Sequence, residues 1–546
     1  MSLTAHSGMP ADPGTRRRLA AIAMGPPLDA AIIGGGINGC GIAEDLAARG
    51  LRVALFEADD FGFGTTWRST KLIHGGLRYL EHGDVRLVFE SLRERAWLLR
   101  AMRHLVRPQR FVLPRLPWTR RPAWQLRAGL AMYDLLARDR AVPGHRNLSR
   151  ESTLELAPWL PGETSGGFTF FDARCLAPER LALELALAAR GHGAVIANHS
   201  PVRRIVEREW QVEAVEVEHG SERFTVPART VINAAGPWVD DVNAHADKPA
   251  PGLLDMTRGT HIVVETVEPV GKEAVFSTAR SDGRVIFAVP QDGLLLIGTT
   301  DLRWEGEPGA IRPTAEEAGY LVEEAQALLP GLGIDRDSVR YAYAGLRPLQ
   351  KLKEGPETAM TRRHVITDHG QQGLARGQYS VAGGKLSTFR PIARELAERL
   401  GAGPRLEQEP GTGGNREWFE ALKESGLPLA TREHLRRYGL AVEPVLAGGE
   451  QVICAHSGAI AGEVVHAART EAAVTLADVL MRRTGVAWAS CRGLCCHREA
   501  ARALAPLLDW SAEREAQEVR SYEVAVDYHL PGMDSLALAG AAHASA

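Results

Sequence analysis

The sequence predicts an α/β protein with a second, mixed β-sheet and an all-α C-terminal region. Residues 30–57 follow a strand–glycine–helix–strand order, residues 285–297 contain two apolar strands around a turn, and amphipathic segments dominate from residue 414 onwards. The chain has 546 residues, of which 45% are hydrophobic and 24% charged. This composition is that of a globular protein with several domains, and it excludes a disordered or fibrous one.

The first predicted unit begins with a short apolar strand, residues 30–33, that leads into Gly34, Gly36 and Gly39 at the start of a helix. The first glycine permits a tight turn, the second lets the backbone approach a pyrophosphate, and the third lets the helix pack closely on the strand. A second strand ends at Glu57, whose carboxylate is placed to accept hydrogen bonds from ribose hydroxyls. An acid at that position disfavours NADP, so the unit predicts binding of either FAD or NAD.

The segment that follows this unit makes the prediction more specific. The run from Gly64 to Glu81 resembles the flavin-proximal segment of FAD-dependent glycerol-3-phosphate dehydrogenases, the aerobic respiratory family. Further stretches match that family in the same order, namely residues 231–238, 258–264, 298–301, 345–349, 383–390 and 475–484. The resemblance implies a FAD-binding, Rossmann-like domain of the glutathione-reductase or D-amino-acid-oxidase type, a mixed-sheet substrate domain and an all-α C-terminal domain.

The predicted domain boundaries follow from the positions of these motifs. Because the βαβ unit and the later glycine motifs are far apart in sequence, the FAD-binding domain must be discontinuous. We expect a disordered tail (1–28), a FAD-binding domain (29–110, 190–250 and 340–400), a substrate-binding domain (111–189 and 251–339), a linker (401–413) and a helical C-terminal domain (414–546).

The resemblance implies FAD as the cofactor, and the glycine-rich motifs indicate which residues contact it. Small residues after buried strands let the chain pass close to a flat ligand, and a helix N-terminus stabilises negative charge on a reduced flavin. The expected FAD-binding residues are Gly34, Gly36, Asn38, Gly39, Glu57, Thr66, Ser69, Thr70, Leu72, Gly75, Ala235, Gly236, Trp238, Gly384, Lys385, Leu386, Ser387 and Thr388.

The resemblance also implies the substrate and the reaction. The family oxidises sn-glycerol 3-phosphate to dihydroxyacetone phosphate by hydride transfer from C2 to flavin N5, and the electrons then pass to a membrane quinone. Three alternatives stay open at this point: an oxidase that uses O2, a flavin amine or amino-acid oxidase on the same fold, and a non-catalytic FAD-binding redox sensor.

Cationic side chains within or beside the matching motifs suit a phosphate monoester, which carries nearly two negative charges near neutral pH. The expected phosphate-binding residues are Arg78, Tyr79, Arg258, Arg362 and Lys385. Arg258 stands where other members of the family carry a lysine, so it keeps the charge but changes the geometry of hydrogen bonding.

Two histidines within the matching motifs are candidates for the base that removes the hydroxyl proton. Imidazole titrates near pH ~6.5, so a neutral form is plentiful at pH 7. We assign the base to His261 and a positioning role to His74, with the reverse assignment as the alternative. Arg347 or Arg258 beside the base would lower its pKa and stabilise developing alkoxide charge.

A strongly basic segment predicts contact with a membrane surface. Residues 95–133 contain nine arginines and three tryptophans but no Asp or Glu. Arginine beside tryptophan is typical of segments that lie among lipid headgroups. No apolar run reaches the ~20 residues of a membrane-spanning helix. We therefore expect a cytoplasmic protein that is peripheral on the inner face of the cell membrane, with a homodimer as one alternative for its oligomeric state.

Charge and cysteine content exclude other classes. The formal net charge is −3, which does not favour a nucleic-acid partner. Six cysteines are too few for a disulfide scaffold and indicate a reducing compartment. Four potential ligands cluster at Cys491, Cys495, Cys496 and His497, but no second thiol pair stands nearby in the sequence. We expect no metal site there and interpret these side chains as half-buried helix residues.

Overall fold

The computed structural model describes residues 12–77, 80, 84–137, 141–266, 271–351, 363–406 and 417–544. Its α-helices are α1 (Pro13–Ala23), α2 (Ile37–Ala48), α3 (Val85–Ala101), α4 (Ala123–Leu136), α5 (Arg150–Leu156), α6 (Pro178–Gly191), α7 (Val239–Asn243), α8 (Ala315–Leu328), α9 (Phe389–Arg399), α10 (Glu417–Glu424), α11 (Leu429–Leu435), α12 (Val442–Ala447), α13 (Ala461–Thr470), α14 (His497–Leu504), α15 (Ala512–His529) and α16 (Met533–Ala544). Its strands are β1 (Ala30–Ile33), β2 (Val53–Phe56), β3 (Leu72–Ile73), β4 (Val106–Pro114), β5 (Arg146–Leu148), β6 (Gly167–Cys175), β7 (Val195–Ala197), β8 (Val202–Arg208), β9 (Gln211–His219), β10 (Glu222–Pro227), β11 (Val231–Asn233), β12 (Leu254–Val264), β13 (Ala274–Thr278), β14 (Val285–Gln291), β15 (Leu294–Gly298), β16 (Leu302–Trp304), β17 (Val339–Gln350), β18 (Val365–Asp368), β19 (Gln378–Ala382), β20 (Val452–Cys454) and β21 (Ala459–Ile460).

The first layer is a six-stranded sheet in the order β18-β19-β11-β1-β2-β7. All neighbours are parallel except β18, which pairs antiparallel with β19. The short, fully apolar strands β1 and β2 are buried along their whole length, as both faces of a parallel sheet require. Helix α2 packs against α6 and α9 over this sheet. The predicted Rossmann-like unit is therefore confirmed.

The second layer is a ten-stranded mixed sheet. Its main path runs β16-β12-β15-β14-β13-β4-β6-β3, and β17 and β5 pair in addition with β12 and β6. The predicted hairpin is present as β14 and β15, and its turn residues Asp292 and Gly293 have φ angles of 49° and 84°. Two consecutive residues with positive φ are the requirement of a tight hairpin turn. A third, antiparallel sheet contains β8, β9 and β10.

Several predicted domain boundaries need correction. The boundary at residues 110/111 falls inside β4, and the boundary at 339/340 falls inside β17, although both strands belong to the ten-stranded sheet. The boundary at 189/190 falls inside α6, which packs on α2 of the dinucleotide unit. An apolar strand pattern shows that a segment is buried, but long-range pairing decides which sheet it joins.

The predicted disorder of residues 1–28 is wrong for the part that the structure describes. Residues 13–23 form α1, which begins with Asp12 accepting hydrogen bonds from the amides of Gly14 and Thr15. Leu19 is fully buried, and α1 packs against β10. Within α1, polar residues outnumber the apolar residues that reach the core. The sequence of this helix therefore has only a weak amphipathic pattern. Residues 1–11 lie outside the described residues.

The C-terminal region is helical, as predicted. Ser511 caps the N-terminus of α15, because its side chain accepts a hydrogen bond from the amide of Arg514. Arg482 and Arg483 lie in a short π-helix and bind the buried carboxylate of Asp60, which joins this region to the dinucleotide unit. Most of the predicted linker lies outside the described residues. Among the residues that are described, no helix is long and apolar enough to cross a membrane.

Candidate active site

The glycines of the first motif form a cradle at the N-terminus of α2. A Cβ atom on Gly39 would lie 1.8 Å from the carbonyl oxygen of Gly34, so only glycine allows the helix this close approach. Gly34 itself has a φ of +104°, and a Cβ there would lie 2.7 Å from the carbonyl oxygen of Ala234. By contrast, a Cβ on Gly36 would meet only Thr66 Oγ1, at 3.4 Å. The space over Gly36 is therefore open for a pyrophosphate at the helix N-terminus.

Glu57 directly follows β2, one residue beyond the end of the strand. Its carboxylate accepts hydrogen bonds from the backbone amides of Gly35 (2.6 Å) and Asp59 (2.8 Å). Burial raises the pKa of Glu57 to about 7, against the lowering effect of these two amides. Ribose hydroxyls that donate to this carboxylate would favour its charged form. The position and the chemistry of Glu57 fit the adenosine end of FAD.

A second glycine loop meets the first across the sheet. Gly383 and Gly384 follow β19 with φ angles of 74° and 95°, and the Nδ2 of Asn38 donates to the carbonyl oxygen of Gly383 at 3.3 Å. The Oδ1 of Asn38 is buried and has no hydrogen-bonding partner among the described residues. Further along, the amide of Lys385 donates to Thr388 Oγ1 just before α9. The unpaired Asn38 oxygen and the glycine-lined gap indicate a polar, flat ligand between the two loops.

The remaining expected cofactor residues have the following local contacts. Gly75 donates its amide hydrogen to Tyr133 Oη at 2.7 Å, and Ala235 donates its own to Asn233 Oδ1 at 3.2 Å. Gly236 has a φ of +58°, and the ring of Trp238 lies against Gly64. Thr66 Oγ1 accepts a hydrogen bond from the amide of Ile37, at the start of α2, at 3.0 Å. Ser69 and Leu72 follow Thr66 in the same motif segment, and Leu386 and Ser387 follow the second glycine loop. The residues present therefore fit FAD.

The segment from Gly64 to Thr70 crosses one face of the β12–β17 pair. Thr65 Oγ1 donates to the carbonyl oxygen of Leu346 at 2.6 Å, and Tyr343 Oη donates to that of Ser69 at 2.7 Å. Thr70 Oγ1 lies 2.9 Å from Nε2 of His261, within hydrogen-bond distance. These contacts bring the first motif and the later strand motifs together, as the candidate site requires.

His261 lies at the centre of this face. Its ring stacks on Tyr343 with centroids 4.9 Å apart and is only 2% exposed. Burial lowers the pKa of His261 to about 3, and the nearby charge of Arg347 contributes to this shift. The buried Nδ1 atom has no hydrogen-bonding partner among the described residues. The imidazole is thus neutral at pH 7 and has one nitrogen available for a ligand.

Arg347 shares this face with His261. Residue partners in an antiparallel pair point to the same side of the sheet, and the register places Arg347 opposite Thr257 and His261 opposite Tyr343. The Arg347 guanidinium donates to Asp301 Oδ1 at 3.0 Å and to Thr299 Oγ1 at 2.8 Å. These contacts fix the orientation of the charge beside the imidazole.

Arg258 differs from the expectation, because the structure does not bring it together with His261 and Arg347. It lies three residues before His261 on β12, so it points to the opposite face of the sheet. There it forms an ion pair of 3.2 Å with Glu317 of α8, whose other oxygen accepts a hydrogen bond from Thr300. Since Glu317 is buried, the pair has a structural role on that face.

Of the other polar residues predicted for the site, the structure describes two, Lys385 and His74. Lys385 is half-buried and donates from Nζ to Ser91 Oγ of α3 at 3.0 Å. His74 follows β3, four residues after Thr70, and is also half-buried. The predicted phosphate ligands Arg78, Tyr79 and Arg362 lie outside the described residues.

Sequence reasoning missed three residues of the site. Tyr343 supports the ring of His261, while Thr299 and Asp301 orient Arg347. Tyr343 and Arg347 are an even number of residues apart on one strand, which places both side chains on the same face. This spacing is the sequence pattern that indicates Tyr343 as a site residue. A further contact, between Arg68 Nη2 and His529 Nδ1 at 3.0 Å, joins the segment 64–70 to the end of α15. No sequence pattern near either residue predicts this contact.

Comparisons with known proteins agree with this geometry. Residues 29–389 match the family model of FAD dependent oxidoreductases, and residues 407–515 match the C-terminal domain of alpha-glycerophosphate oxidase. The chain is 34% identical to a glycerol-3-phosphate dehydrogenase of Synechocystis sp., over 90% of this chain and 95% of the relative. It is 37% identical to D-erythritol 1-phosphate dehydrogenase of Brucella abortus, over 84% of this chain and 94% of the relative.

A solved structure supports the same assignment. The FAD complex of glycerol-3-phosphate dehydrogenase from Bacillus halodurans superimposes with a TM-score of 0.74 at 27% identity, covering 96% of this chain and 98% of that one. The fold is that of an FAD-dependent oxidoreductase. The chain belongs to the family of FAD-dependent glycerol-3-phosphate dehydrogenases, and its cofactor is FAD.

Proposed function

We propose that the protein oxidises sn-glycerol 3-phosphate to dihydroxyacetone phosphate. In this reaction the C2 hydroxyl would lose its proton and the C2–H bond would break. FAD held between the two glycine loops, residues 34–39 and 383–384, would supply the hydride acceptor. The observation that carries this proposal is the pairing of a neutral, buried His261 with an oriented Arg347 on the face that the segment 64–70 crosses. This pairing offers a base and a positive charge at one place.

His261 acts as the base in this proposal. Its pKa of about 3 keeps the imidazole unprotonated at neutral pH, and its buried Nδ1 is available to accept a proton. A bound phosphate dianion would offset the charge of Arg347 and raise this pKa toward the range of an effective base. Arg347 stabilises the negative charge that develops on the substrate oxygen. His74 then has the positioning role.

Lys385 is the phosphate ligand that the described residues support best. It lies four residues before α9, directly after the glycine loop, and its Nζ donates to Ser91 Oγ. An ammonium group beside this loop adds to the positive potential that suits a phosphate. Arg78, Tyr79 and Arg362 complete the proposed phosphate site on the strength of the sequence motifs.

For the electron acceptor we propose a membrane quinone, reached from the inner face of the cell membrane. Helix α4 exposes an apolar stripe that includes Trp124, Met132 and Leu135, with exposed fractions of 72%, 46% and 71%. Arg120, Arg121 and Arg127 flank this stripe and are exposed as well. A surface helix with tryptophan, aliphatic groups and arginines is typical of a segment that lies in the lipid headgroup region.

Three arginines of the predicted membrane segment, residues 95–133, have partners within the protein. Arg95 is buried against Asp172, and Arg107 and Arg110 form ion pairs with Glu433 and Glu273. These arginines are therefore internal or paired, which a charge count along the sequence cannot show. The proposed membrane contact is α4 and the residues just before it.

A cavity of about 460 Å³ beside α4 supports the quinone proposal. Its wall is largely apolar, and two arginines border it; the lining residues include Leu113, Leu126, Phe276, Val285, Arg120 and Arg121. A hydrophobic cavity with a few polar groups suits a quinone ring and the start of its tail. Leu77, which also lines the cavity, lies two residues after the flavin-motif glycine Gly75.

The substrate is tested by mixing the FAD-loaded protein with candidate substrates in the absence of oxygen. We expect sn-glycerol 3-phosphate to bleach the visible flavin band, and glycerol and amino acids to leave it unchanged. D-erythritol 1-phosphate is a necessary comparison, because a 37% identical relative carries that name. Faster bleaching by the four-carbon phosphate would replace the proposed substrate, and bleaching by amino acids alone would contradict the proposed class of reaction.

The acceptor is tested on the reduced protein. We expect a soluble quinone to reoxidise the flavin much faster than oxygen does, with little hydrogen peroxide formed. Rapid reoxidation by oxygen with stoichiometric peroxide would instead identify an oxidase.

Membrane contact is tested by sedimentation with vesicles that contain anionic phospholipid. We expect the double variant Trp124→Ser/Leu135→Ser to lose most of the bound fraction. Val524→Ser, which removes another exposed apolar side chain, is the matched control and should bind as the unmodified protein does. Equal binding of the double variant would contradict the role of α4.

A further inference from the structure

Three cysteines and one histidine from separate parts of the helical region converge at one point. Cys454 ends β20, and His456 lies in the turn between β20 and β21. Cys491 and Cys495 lie in the segment before α14. The four potential ligand atoms all lie within 4.8 Å of one another. The sequence shows this cluster only in part, because 37 residues separate Cys454 from Cys491.

The distances between the sulfur atoms indicate what this cluster holds. The three Sγ pairs are 3.7 Å (Cys454–Cys491), 3.6 Å (Cys454–Cys495) and 3.4 Å (Cys491–Cys495). In a tetrahedral zinc site with Zn–S bonds of ~2.3 Å, the sulfur atoms lie about 3.8 Å apart. A disulfide would require about 2.0 Å. The triangle of thiols thus has nearly the size of one face of a zinc tetrahedron.

The contacts of the neighbouring residues, His497 and Cys496, indicate which four side chains are the ligands. His497 Nε2 lies 2.9 Å from Glu523, and its Nδ1 lies 3.0 Å from the carbonyl oxygen of Leu494. The thiol of Cys496 faces the carbonyl oxygen of Gly493 at 3.5 Å and also contacts Cys454, but it does not belong to the group of described ligand atoms that all lie within 4.8 Å of one another. His456, in contrast, is exposed and sits beside the three thiols. The expected cluster of residues 491–497 is therefore replaced by a set that combines two chain segments.

We propose that Cys454, His456, Cys491 and Cys495 bind one Zn²⁺ ion in a closed, tetrahedral structural site. Three thiolates and one imidazole are a standard donor set for structural zinc. Binding removes one proton from each thiol, and no oxidation state changes. This proposal differs from the expectation that no metal site lies here, and it does not depend on the proposed reaction.

The site would link two segments that are far apart in the sequence. It connects the β20–β21 hairpin to the segment before α14. That segment is also anchored on α15, because Tyr522 Oη donates to the carbonyl oxygen of Arg492 at 2.9 Å. Binding energy at a structural zinc site adds to folding energy. Loss of the ion should therefore loosen the C-terminal region locally.

Metal analysis of the purified, FAD-loaded protein tests this proposal. We expect about one zinc ion per chain, and we expect that Cys491→Ser and Cys495→Ser each lose most of it. Cys175→Ala removes a buried cysteine outside the cluster and is the matched control, so it should keep the full zinc content. The flavin absorbance of each variant shows whether the remainder of the chain is folded.

A second measurement covers the case in which the serine variants do not fold. The unmodified protein, stripped with a chelator and reloaded with Co²⁺, should show thiolate charge transfer and the strong d–d bands of tetrahedral cobalt beyond the flavin bands. Zinc below a tenth of an equivalent after growth with added zinc, together with no tetrahedral cobalt spectrum, would overturn the proposal. A mass two units lower, from a disulfide within the cluster, would overturn it in favour of a redox pair.

Discussion

Replacing Gly39 with alanine should mainly impair folding, whereas replacing Gly36 with alanine should mainly impair FAD binding. At Gly39 the new Cβ would lie 1.8 Å from the carbonyl oxygen of Gly34, well inside the ~3.4 Å of an ordinary contact. The helix must move away from β1, and we expect Gly39→Ala to lower the free energy of unfolding by at least about 3 kcal/mol, the upper end of overpacking costs. At Gly36 the Cβ meets only Thr66 Oγ1 at 3.4 Å, and the residue has an ordinary φ of −74°. We expect Gly36→Ala to cost less than about 1 kcal/mol, mainly because alanine caps a helix less well than glycine.

The same two variants separate stability from cofactor binding. The Cβ at Gly36 occupies the space that a pyrophosphate needs, so FAD binding should weaken by at least about tenfold, or about 1.4 kcal/mol. Urea unfolding of the FAD-free protein measures the first quantity, and flavin fluorescence titration measures the second. Normal stability of Gly39→Ala, or unchanged FAD affinity of Gly36→Ala, would refute this account of the cradle.

Three further predictions concern charge and protonation. Burial raises the pKa of Glu57 to about 7, and FAD hydroxyls favour its charged form. The affinity for FAD should therefore rise as the pH increases toward 7 and level off above it. FAD titrations at several pH values should show this dependence, and Glu57→Gln should remove it. His261→Asn should slow anaerobic flavin reduction by about 10²- to 10⁴-fold with FAD still bound, whereas an unchanged rate would exclude His261 as the base. Arg347→Met should lower the rate of flavin reduction at least about 10²-fold. Arg258→Met should mainly lower thermal stability, because it leaves the buried Glu317 without its ion-pair partner. The reverse result would show that the two arginines have been assigned to the wrong faces of the sheet.

The parts of the fold that depend on contiguous residues could be predicted from the sequence. The unit from β1 to Glu57 has its turn, helix and strand within 28 residues, and each glycine has a local physical reason. The β14–β15 hairpin is predicted by two apolar strands around a turn, and Asp292 and Gly293 have the positive φ angles that such a turn needs. Both predictions rest on local geometry, so distant pairing could not change them.

The errors arise where distant segments meet. The membership of β4 and β17 in the large sheet depends on pairing with strands far along the chain. The position of Arg258 follows from a different cause: its odd spacing from His261 places the two on opposite faces of a strand, but this rule applies only once the strand is known. The cluster around Cys454 depends on tertiary contacts alone.

Isotope substitution at C2 of the substrate tests the central claim most directly. We expect sn-glycerol 3-phosphate with deuterium at C2 to reduce the flavin several-fold more slowly than the unlabelled compound in anaerobic rapid mixing, because the C2–H bond breaks as hydride is transferred. His261→Asn should leave this isotope effect in place while it lowers the rate. Flavin reduction at the same rate with both substrates, or no reduction of a fully FAD-loaded protein, would contradict hydride transfer from C2 as the reaction of this site.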